Sequence, residues 1–284
     1  MLCRVMEVSV SGYYAWRKRL TEPSSIRRKR LADLIKDCYW ENRKRYGTRR
    51  IKASLAKSGV KAGRFQIRKV MQEQGLKATQ PKSFQPKTTN SRGTKAAPNL
   101  LAQIPVEECA SAKIIVGDIT YLPLRNGKWC YLAVWQDKVT RRIIGWSVAE
   151  TMTAELVISA LKKAIMKGAV KAGAIIHSDR GSQYASKEFR ELLRINCFRQ
   201  SMSGKGNCYD NAQAESFFSR FKTELLEGGV FEDVEQAKSE VFSYIEGYYN
   251  RVRLHSSLGY KSPMEFETEL KIKNNGGRES FVSI

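Results

Sequence analysis

Residues 114–122 read Ile114-Ile115-Val116-Gly117-Asp118-Ile119-Thr120-Tyr121-Leu122, an apolar, β-branched run broken by a single acid. Such a run makes a buried central strand. A carboxylate inside it is costly unless something compensates its charge, and a metal ion does so directly. On its own Asp118 could equally face solvent or pair with an arginine, so its meaning depends on which other acids the fold brings to it.

Working outward, two further short apolar runs follow at 129–135 and 142–148, joined by turns at Arg125-Asn126-Gly127 and 136–141. Three consecutive strands with such loops form an antiparallel meander. A helix is expected over 153–167 (apolar Leu156, Val157, Ala160, Leu161, Ala164, Ile165), a strand over 174–177, a helix over 187–194 and a short strand at 198–202. This βββαβαβα order predicts a mixed sheet with helices on both faces.

Two later acids stand in suitable places. Asp179 closes the strand Ala174-Ile175-Ile176-His177-Ser178 and precedes Arg180-Gly181-Ser182-Gln183, at a strand-to-loop edge where mixed sheets commonly hold ligands. An ordinary turn aspartate is the competing reading. Glu215 lies thirty-five residues further on, in a helix expected over 211–226 with the apolar stripe Ala214, Phe217, Phe218, Phe221 and Leu225. Lys222, seven residues later, returns to nearly the same angle, about 20° away. One edge of that helix therefore carries a carboxylate and a cation, the first suited to a metal and the second to a phosphate; a weak solvent-exposed pair is the alternative. Lys205, in the Ser203-Gly204-Lys205-Gly206 loop that leads into the helix, suits close approach to a phosphate backbone. Asp210 reads as an N-cap, Asp137 as a turn residue, and His177 as a scaffold residue at most behind the ligands. Three converging oxygen donors suit Mg²⁺, with Mn²⁺ as a substitute.

Charge is distributed very unevenly. The 284 residues carry a net +22, and residues 1–98 alone hold 25 Lys and Arg against 6 Asp and Glu. A basic module beside a nearly neutral one points to a polyanion, nucleic acid above all, because Lys and Arg contacts to phosphate supply most non-specific affinity. Within this module a helix is expected over 25–45, a second from Thr48 as N-cap, and a third over 63–74 with Ile67, Val70 and Met71 inward and Arg64, Arg68, Lys69 and Gln72 outward. Either a helix-turn-helix or a small bundle with a solvated basic face accommodates that pattern. Residues 78–100, rich in Pro, Thr, Ser and Lys, read as a linker.

The six cysteines are isolated and there are two histidines, which disfavours a zinc site. Met1-Leu2-Cys3-Arg4 does not read as a secretory signal, and no apolar run reaches the ~18 residues of a membrane span. The expected location is a reducing cytoplasm. No Gly-x-x-x-x-Gly-Lys-Ser/Thr loop is present, so nucleotide hydrolysis is not implied. Downstream, Asp233 and Gln236 form a capping pair, and Ser262-Pro263-Met264-Glu265 opens a final short helix.

These motifs, in this order, closely resemble the DDE transposases of bacterial insertion sequences, specifically the product of the second of two overlapping reading frames. The resemblance rests on Ser11-Gly12-Tyr13-Tyr14-Ala15-Trp16, Arg45-Tyr46-Gly47-Thr48-Arg49-Arg50-Ile51, Gly117-Asp118-Ile119-Thr120-Tyr121, His177-Ser178-Asp179-Arg180-Gly181-Ser182-Gln183-Tyr184, Ser201-Met202-Ser203, Asp210-Asn211-Ala212, Glu215-Ser216-Phe217-Phe218, Tyr249-Asn250-Arg251 and His255-Ser256-Ser257-Leu258-Gly259-Tyr260-Lys261-Ser262-Pro263. It implies an α/β fold, an RNase H-like mixed sheet flanked by helices and similar to retroviral integrase, behind a small all-α helix-turn-helix-like domain. The implied division is 1–77 for DNA binding, 78–100 as linker, 101–227 as catalytic core and 228–284 as a helical extension. Asp118, Asp179 and Glu215 become the Mg²⁺ ligands of a strand-cleaving and strand-joining enzyme, and Lys222 a DNA-end contact. The partners implied are element ends, target DNA, a first-frame protein or frameshift fusion, and further copies of the chain. A structure-selective nuclease of the same fold and a non-catalytic DNA-binding regulator are the alternative classes. The His-His-Cys-Cys zinc module of retroviral integrase is missing.

Overall fold

A computed structural model describes residues 2–18, 24–80, 97–104, 113–204, 212–226 and 229–279. The chain divides into two compact units, Met1–Gln80 and Pro81–Ile284.

The first unit is helical: α1 (Leu2–Val5), α2 (Val10–Lys18), α3 (Ser24–Glu41), α4 (Thr48–Lys57) and α5 (Arg64–Glu73). Its core is built from Ile35, Cys38 and Tyr39 of α3, Tyr46, Ile51 and Leu55 around α4, and Ile67, Val70 and Met71 of α5. Burial of this apolar set is what packs α3, α4 and α5 together. Helix α3 stops at Glu41, short of the expected residue 45. There the Asn42 side chain donates to the Cys38 carbonyl at 2.8 Å, and Arg43 and Lys44 take left-handed backbone angles, φ 48° and 60°. That reversal buries Arg45, the last residue of the expected helix, together with Tyr46. Thr48 is the first helical residue; Gly47 occupies the cap and no side chain closes it. The Tyr39 hydroxyl donates to the Lys77 carbonyl at 2.8 Å and Arg28 pairs with Glu73 at 2.6 Å, tying α3 to the end of α5.

The second unit is a five-stranded sheet of order β3-β2-β1-β4-β5: β1 (Ile114–Pro123), β2 (Trp129–Asp137), β3 (Ile143–Ala149), β4 (Ile175–Ser178) and β5 (Arg199–Met202). The first three strands pair antiparallel, whereas β4 runs parallel to β1 and β5 parallel to β4. This is the RNase H-like arrangement. The parallel pairs require crossovers, supplied by α6 (Ala154–Met166) and α7 (Lys187–Ile195). After β5 come α8 (Ala212–Phe221), continued as a π-turn at Lys222–Leu226, then α9 (Val234–Phe242), continued as a second π-turn at Ser243–Tyr249, and α10 (Pro263–Glu279). Residues 97–100, at the end of the stretch read as linker, lie along β5: Leu100 N–H donates to Ser201 Oγ at 3.0 Å and Met202 N–H to the Pro98 carbonyl at 3.3 Å.

Period-two alternation in β1 sends its side chains to two cores. Ile115 and Ile119 pack with α6, Trp135 and Phe189; Ile114 and Val116 face Ala214 of α8, and Leu122 joins the aromatic cluster of Phe217, Phe221, Tyr244 and Tyr249. Gly117 is pinned by its cross-strand partner. Trp135 lies directly opposite it, and a Cβ at residue 117 would come within 2.3 Å of that ring. The indole is fully buried, donates Nε1–H to the Val157 carbonyl at 3.1 Å and stacks on Phe189, so it has nowhere to retreat. Gly117→Ala is therefore expected to cost about 3 kcal/mol, at the upper end for overpacking. Urea unfolding followed by tryptophan fluorescence checks this, and a loss within experimental error of zero would mean that the ring can move.

Candidate active site

Asp118 and Asp179 are brought together by strand register. The parallel ladder pairs Ile114 with Ile175, Ile115 with Ile176 and Val116 with His177. Continuing it by two residues sets Asp118 level with Asp179, where β4 has just given way to loop. By alternation Asp118 shares the face of Ile114 and Val116, the face covered by Ala214 of α8. Glu215 is the next residue of that helix, in its first turn.

Backbone amides hold the two aspartates. Asp118 Oδ1 accepts from the Ile119 N–H at 2.8 Å, and Asp179 Oδ1 accepts from the Gly181 N–H at 3.0 Å. Glycine matters at residue 181 because a Cβ there would stand 3.0 Å from Asp179 Oδ1. The electrostatics are those of crowded like charges set deep in the protein. Burial, then the charge of Asp179 and more weakly that of Glu215, push Asp118 up to about 8, against the Ile119 amide and Lys222. Burial raises Asp179 as well, with the Gly181 amide opposing, and burial raises Glu215. Lys222, at the start of the π-turn, is close enough to Asp118 for the two to shift one another; partial burial lowers its ammonium and Asp118 pulls it back up.

The three acids expected from sequence thus face one region, with Lys222 on its rim. They do not form a closed ligand set as they stand: among the described residues no three acidic, histidine or cysteine side chains are close enough together to hold one ion. Lys205 and Asp210 lie outside the described residues. Asp137 accepts from the Val139 and Thr140 amides at 3.0 and 2.8 Å and pairs with Lys113, so it builds the β2–β3 turn. His177 is fully buried, its Nδ1 2.9 Å from Ser201 Oγ and its Nε2 3.2 Å from Ser203 Oγ, and it stitches β4 to β5. Arg180 Nε donates to the Ser203 carbonyl at 2.8 Å, which ties down the loop that carries Asp179.

Two residues escaped sequence reasoning. Tyr184 is fully buried, its hydroxyl has no hydrogen-bond partner among the described residues, and Asp118 and Asp179 both add to the burial that raises its pKa. Only its place in the Asp179 motif hinted at this. Glu224 is buried on the α8 stripe, where its spacing of seven from Phe217 and three from Phe221 was a legible signal. On the first unit, Arg64, Arg68, Lys69 and Gln72 are exposed along α5 as expected, together with Phe65, which is 78% exposed. No described helix is long and apolar enough to cross a membrane.

An integrase core domain profile matches residues 110–208, a second integrase core profile matches 215–270, and an HTH-like domain profile matches 27–84. The transposase InsF of insertion sequence IS3A from Escherichia coli K12 is 37% identical over 270 residues, covering 94% of this chain and 93% of the relative. The transposase of element IS904 from Lactococcus lactis is 39% identical over 250 residues, 88% of this chain and 98% of its own length. A 31 kDa protein of insertion element IS600 from Shigella sonnei is 39% identical over 267 residues, 93% of this chain and 97% of its own. Among solved structures, a simian T-cell lymphotropic virus intasome covers 76% of this chain and 69% of its own at 19% identity and a TM-score of 0.45. The HTLV-2 integrase catalytic core domain, in complex with magnesium, covers 54% and 95% at 19% identity and a TM-score of 0.41. With relatives at this identity along almost its whole length, and integrase core matches spanning the strands and helices that carry the three acids, the chain belongs to the insertion-sequence transposases of the IS3 family.

Proposed function

We propose that this transposase cuts and joins DNA strands at insertion-sequence ends through Asp118, Asp179 and Glu215. The observation that carries the reading is geometric: the parallel register of β1 and β4 sets Asp118 level with Asp179 on the face covered by α8, the helix that bears Glu215, and burial with these acidic neighbours raises the pKa of Asp118. Clustered carboxylates of this kind are a marker of functional sites, and their natural counter-charge is a cation. The donor set is all oxygen, which suits Mg²⁺ with Mn²⁺ as substitute. A divalent ion held there would polarise the phosphodiester and lower the pKa of an attacking water or 3′-hydroxyl.

The protein's own residues position the reactants. Asp118 and Asp179 are fixed by the sheet and by backbone amides, Glu215 approaches from α8, and Lys222 on the same helix edge meets a phosphate of the DNA end. Water attack at the element's end breaks a P–O3′ bond and releases a 3′-hydroxyl; attack of that hydroxyl on a phosphodiester of a second strand forms the new P–O bond as that strand's own 3′-oxygen departs, with no covalent enzyme intermediate. The assay is nicking and joining of labelled element ends, with and without Mg²⁺ and with and without the first-frame protein. Nicking without joining would indicate a structure-selective nuclease, and binding without either a DNA-binding regulator.

The same reading assigns 1–77 to DNA binding, 78–100 to a connection, 101–227 to catalysis and 228–284 to its helical support. It also implies action by several copies on the bacterial nucleoid. Arg64, Arg68 and Lys69 on α5, with Lys205, are its DNA contacts outside the acid cluster. Affinity for duplex DNA is expected to fall on the order of 10³-fold between 50 and 200 mM salt, as for about six phosphate contacts. Replacing Arg64, Arg68 and Lys69 together by Ala should flatten the log–log salt slope by roughly three. Fluorescence anisotropy measures both, and a triple variant with the parental slope would remove α5 from the interface.

A further inference from the structure

The closing motif around Tyr249-Asn250-Arg251 has no part in the chemistry above, yet the structure runs it directly to the turn that carries Lys222. Glu224 and Arg253 are each 3% exposed. Arg253 donates Nη2–H to Glu224 Oε1 at 2.7 Å and Nε–H to Oε2 at 2.9 Å, and the Tyr244 hydroxyl donates to Oε2 at 2.9 Å. Both π-turns of the chain meet at this carboxylate: Glu224 belongs to Lys222–Leu226 and Tyr244 to Ser243–Tyr249. Wide turns of this kind inside helices recur at functional sites.

Arg253 is itself anchored to the sheet. Its guanidinium lies 5.6 Å from the Tyr249 ring centroid, and the Tyr249 hydroxyl accepts from Gln136 Nε2 at 2.9 Å. Asn250 bonds the N–H and the carbonyl of Ile143, at 3.0 Å each, at the first residue of β3. A continuous set of directed bonds therefore leads from β2 and β3 through residues 249–253 to Glu224. Lys222, two residues before Glu224, is exposed, while its ammonium, partly desolvated, lies within electrostatic reach of Asp118. Replacing both members of a buried ion pair by apolar residues often leaves stability unchanged, so stability alone gives little reason for this pair; what a forked Arg–carboxylate contact adds is geometry.

We propose that the Glu224–Arg253 pair is a positioning device, setting the phase of the π-turn so that Lys222 is held at the rim of the acid cluster for the DNA strand. The proposal rests on the reading of Lys222 as a DNA-end contact. The test is a double-mutant cycle on the full chain with element-end DNA, following joining rate, KM and melting temperature. Lys222→Ala alone should slow joining about tenfold, and Glu224→Gln should slow it comparably. Adding Lys222→Ala to Glu224→Gln should then cost less than twofold more, because the lysine is already misplaced, whereas Arg68→Ala should keep its full effect in both backgrounds. Arg253→Lys, which keeps the charge and loses the fork, should behave as Glu224→Gln does. The paired replacement Glu224→Leu with Arg253→Met should melt near the parent and still join slowly.

Full multiplicative effects of Lys222→Ala in the Glu224→Gln background, or parental joining by the Leu/Met variant, would overturn the proposal and leave the pair as a stabilising contact. Parental joining by Lys222→Ala alone would instead remove Lys222 from the site, and with it the pair's purpose.

Discussion

Asp118→Asn, Asp179→Asn and Glu215→Gln are each expected to reduce both nicking and joining at least about a thousandfold while leaving DNA affinity within about twofold. Each change removes a charge and keeps nearly the same volume, so the folded core is undisturbed. The loss follows because cation-dependent stabilisation of phosphoryl transfer is worth several kcal/mol, and every 1.36 kcal/mol is tenfold in rate. DNA affinity should survive because it is ascribed to the basic first unit, with 25 of the chain's 50 Lys and Arg in residues 1–98. Gel assays on labelled element ends, paired with anisotropy on the same DNA, separate the two quantities. A variant that nicks at the parental rate would show that its residue is not required, and two such variants would end the three-carboxylate mechanism.

The second large effect is on stability without metal, and its sign follows from Asp118. Its folded-state pKa is about 8 against an ordinary 3.8, so between those values the folded protein holds a proton that the unfolded chain has released. The resulting stabilisation is complete below about pH 4 and is lost as pH rises through 8. At about 1.4 kcal/mol per unit, the loss across that window reaches at most roughly 6 kcal/mol, and the raised pKa of Asp179 acts in the same direction. Asp118→Asn has no such proton to lose. Its melting temperature should therefore exceed the parent's at pH 8 in EDTA and approach it near pH 4.5. Mg²⁺ at pH 8 should then raise the parent by more than the variant, by about 2.7 kcal/mol at a hundred times the dissociation constant. Melting curves that run parallel from pH 4.5 to 8 would contradict the charge crowding on which the site is built.

Much of the second unit was legible in its periodicities. The alternation in 114–122 and the three- and four-residue spacing in 153–167 correspond to β1 and α6 within a residue or two, because each element buries a face wide enough to dominate its local pattern. Errors gathered where a side chain competes with the helix. Asn42 bonding back to Cys38 ends α3 early, and Glu224 and Tyr244 meet where α8 and α9 widen into π-turns.

The family, the order of strands and helices, the basic first unit and the three acids proposed as ligands were legible in the amino-acid sequence itself, since each is a matter of residue type and short-range spacing. What only the tertiary structure decided is which acids share a region and what their charges do there. The parallel register of β1 with β4 levels Asp118 with Asp179, and β1 alternation turns Asp118 toward the helix that bears Glu215. The contact of Glu224 with Arg253, twenty-nine residues away along the chain, belongs to the same class. Pairings of this kind depend on strand register and on burial from several directions at once, and local sequence encodes neither.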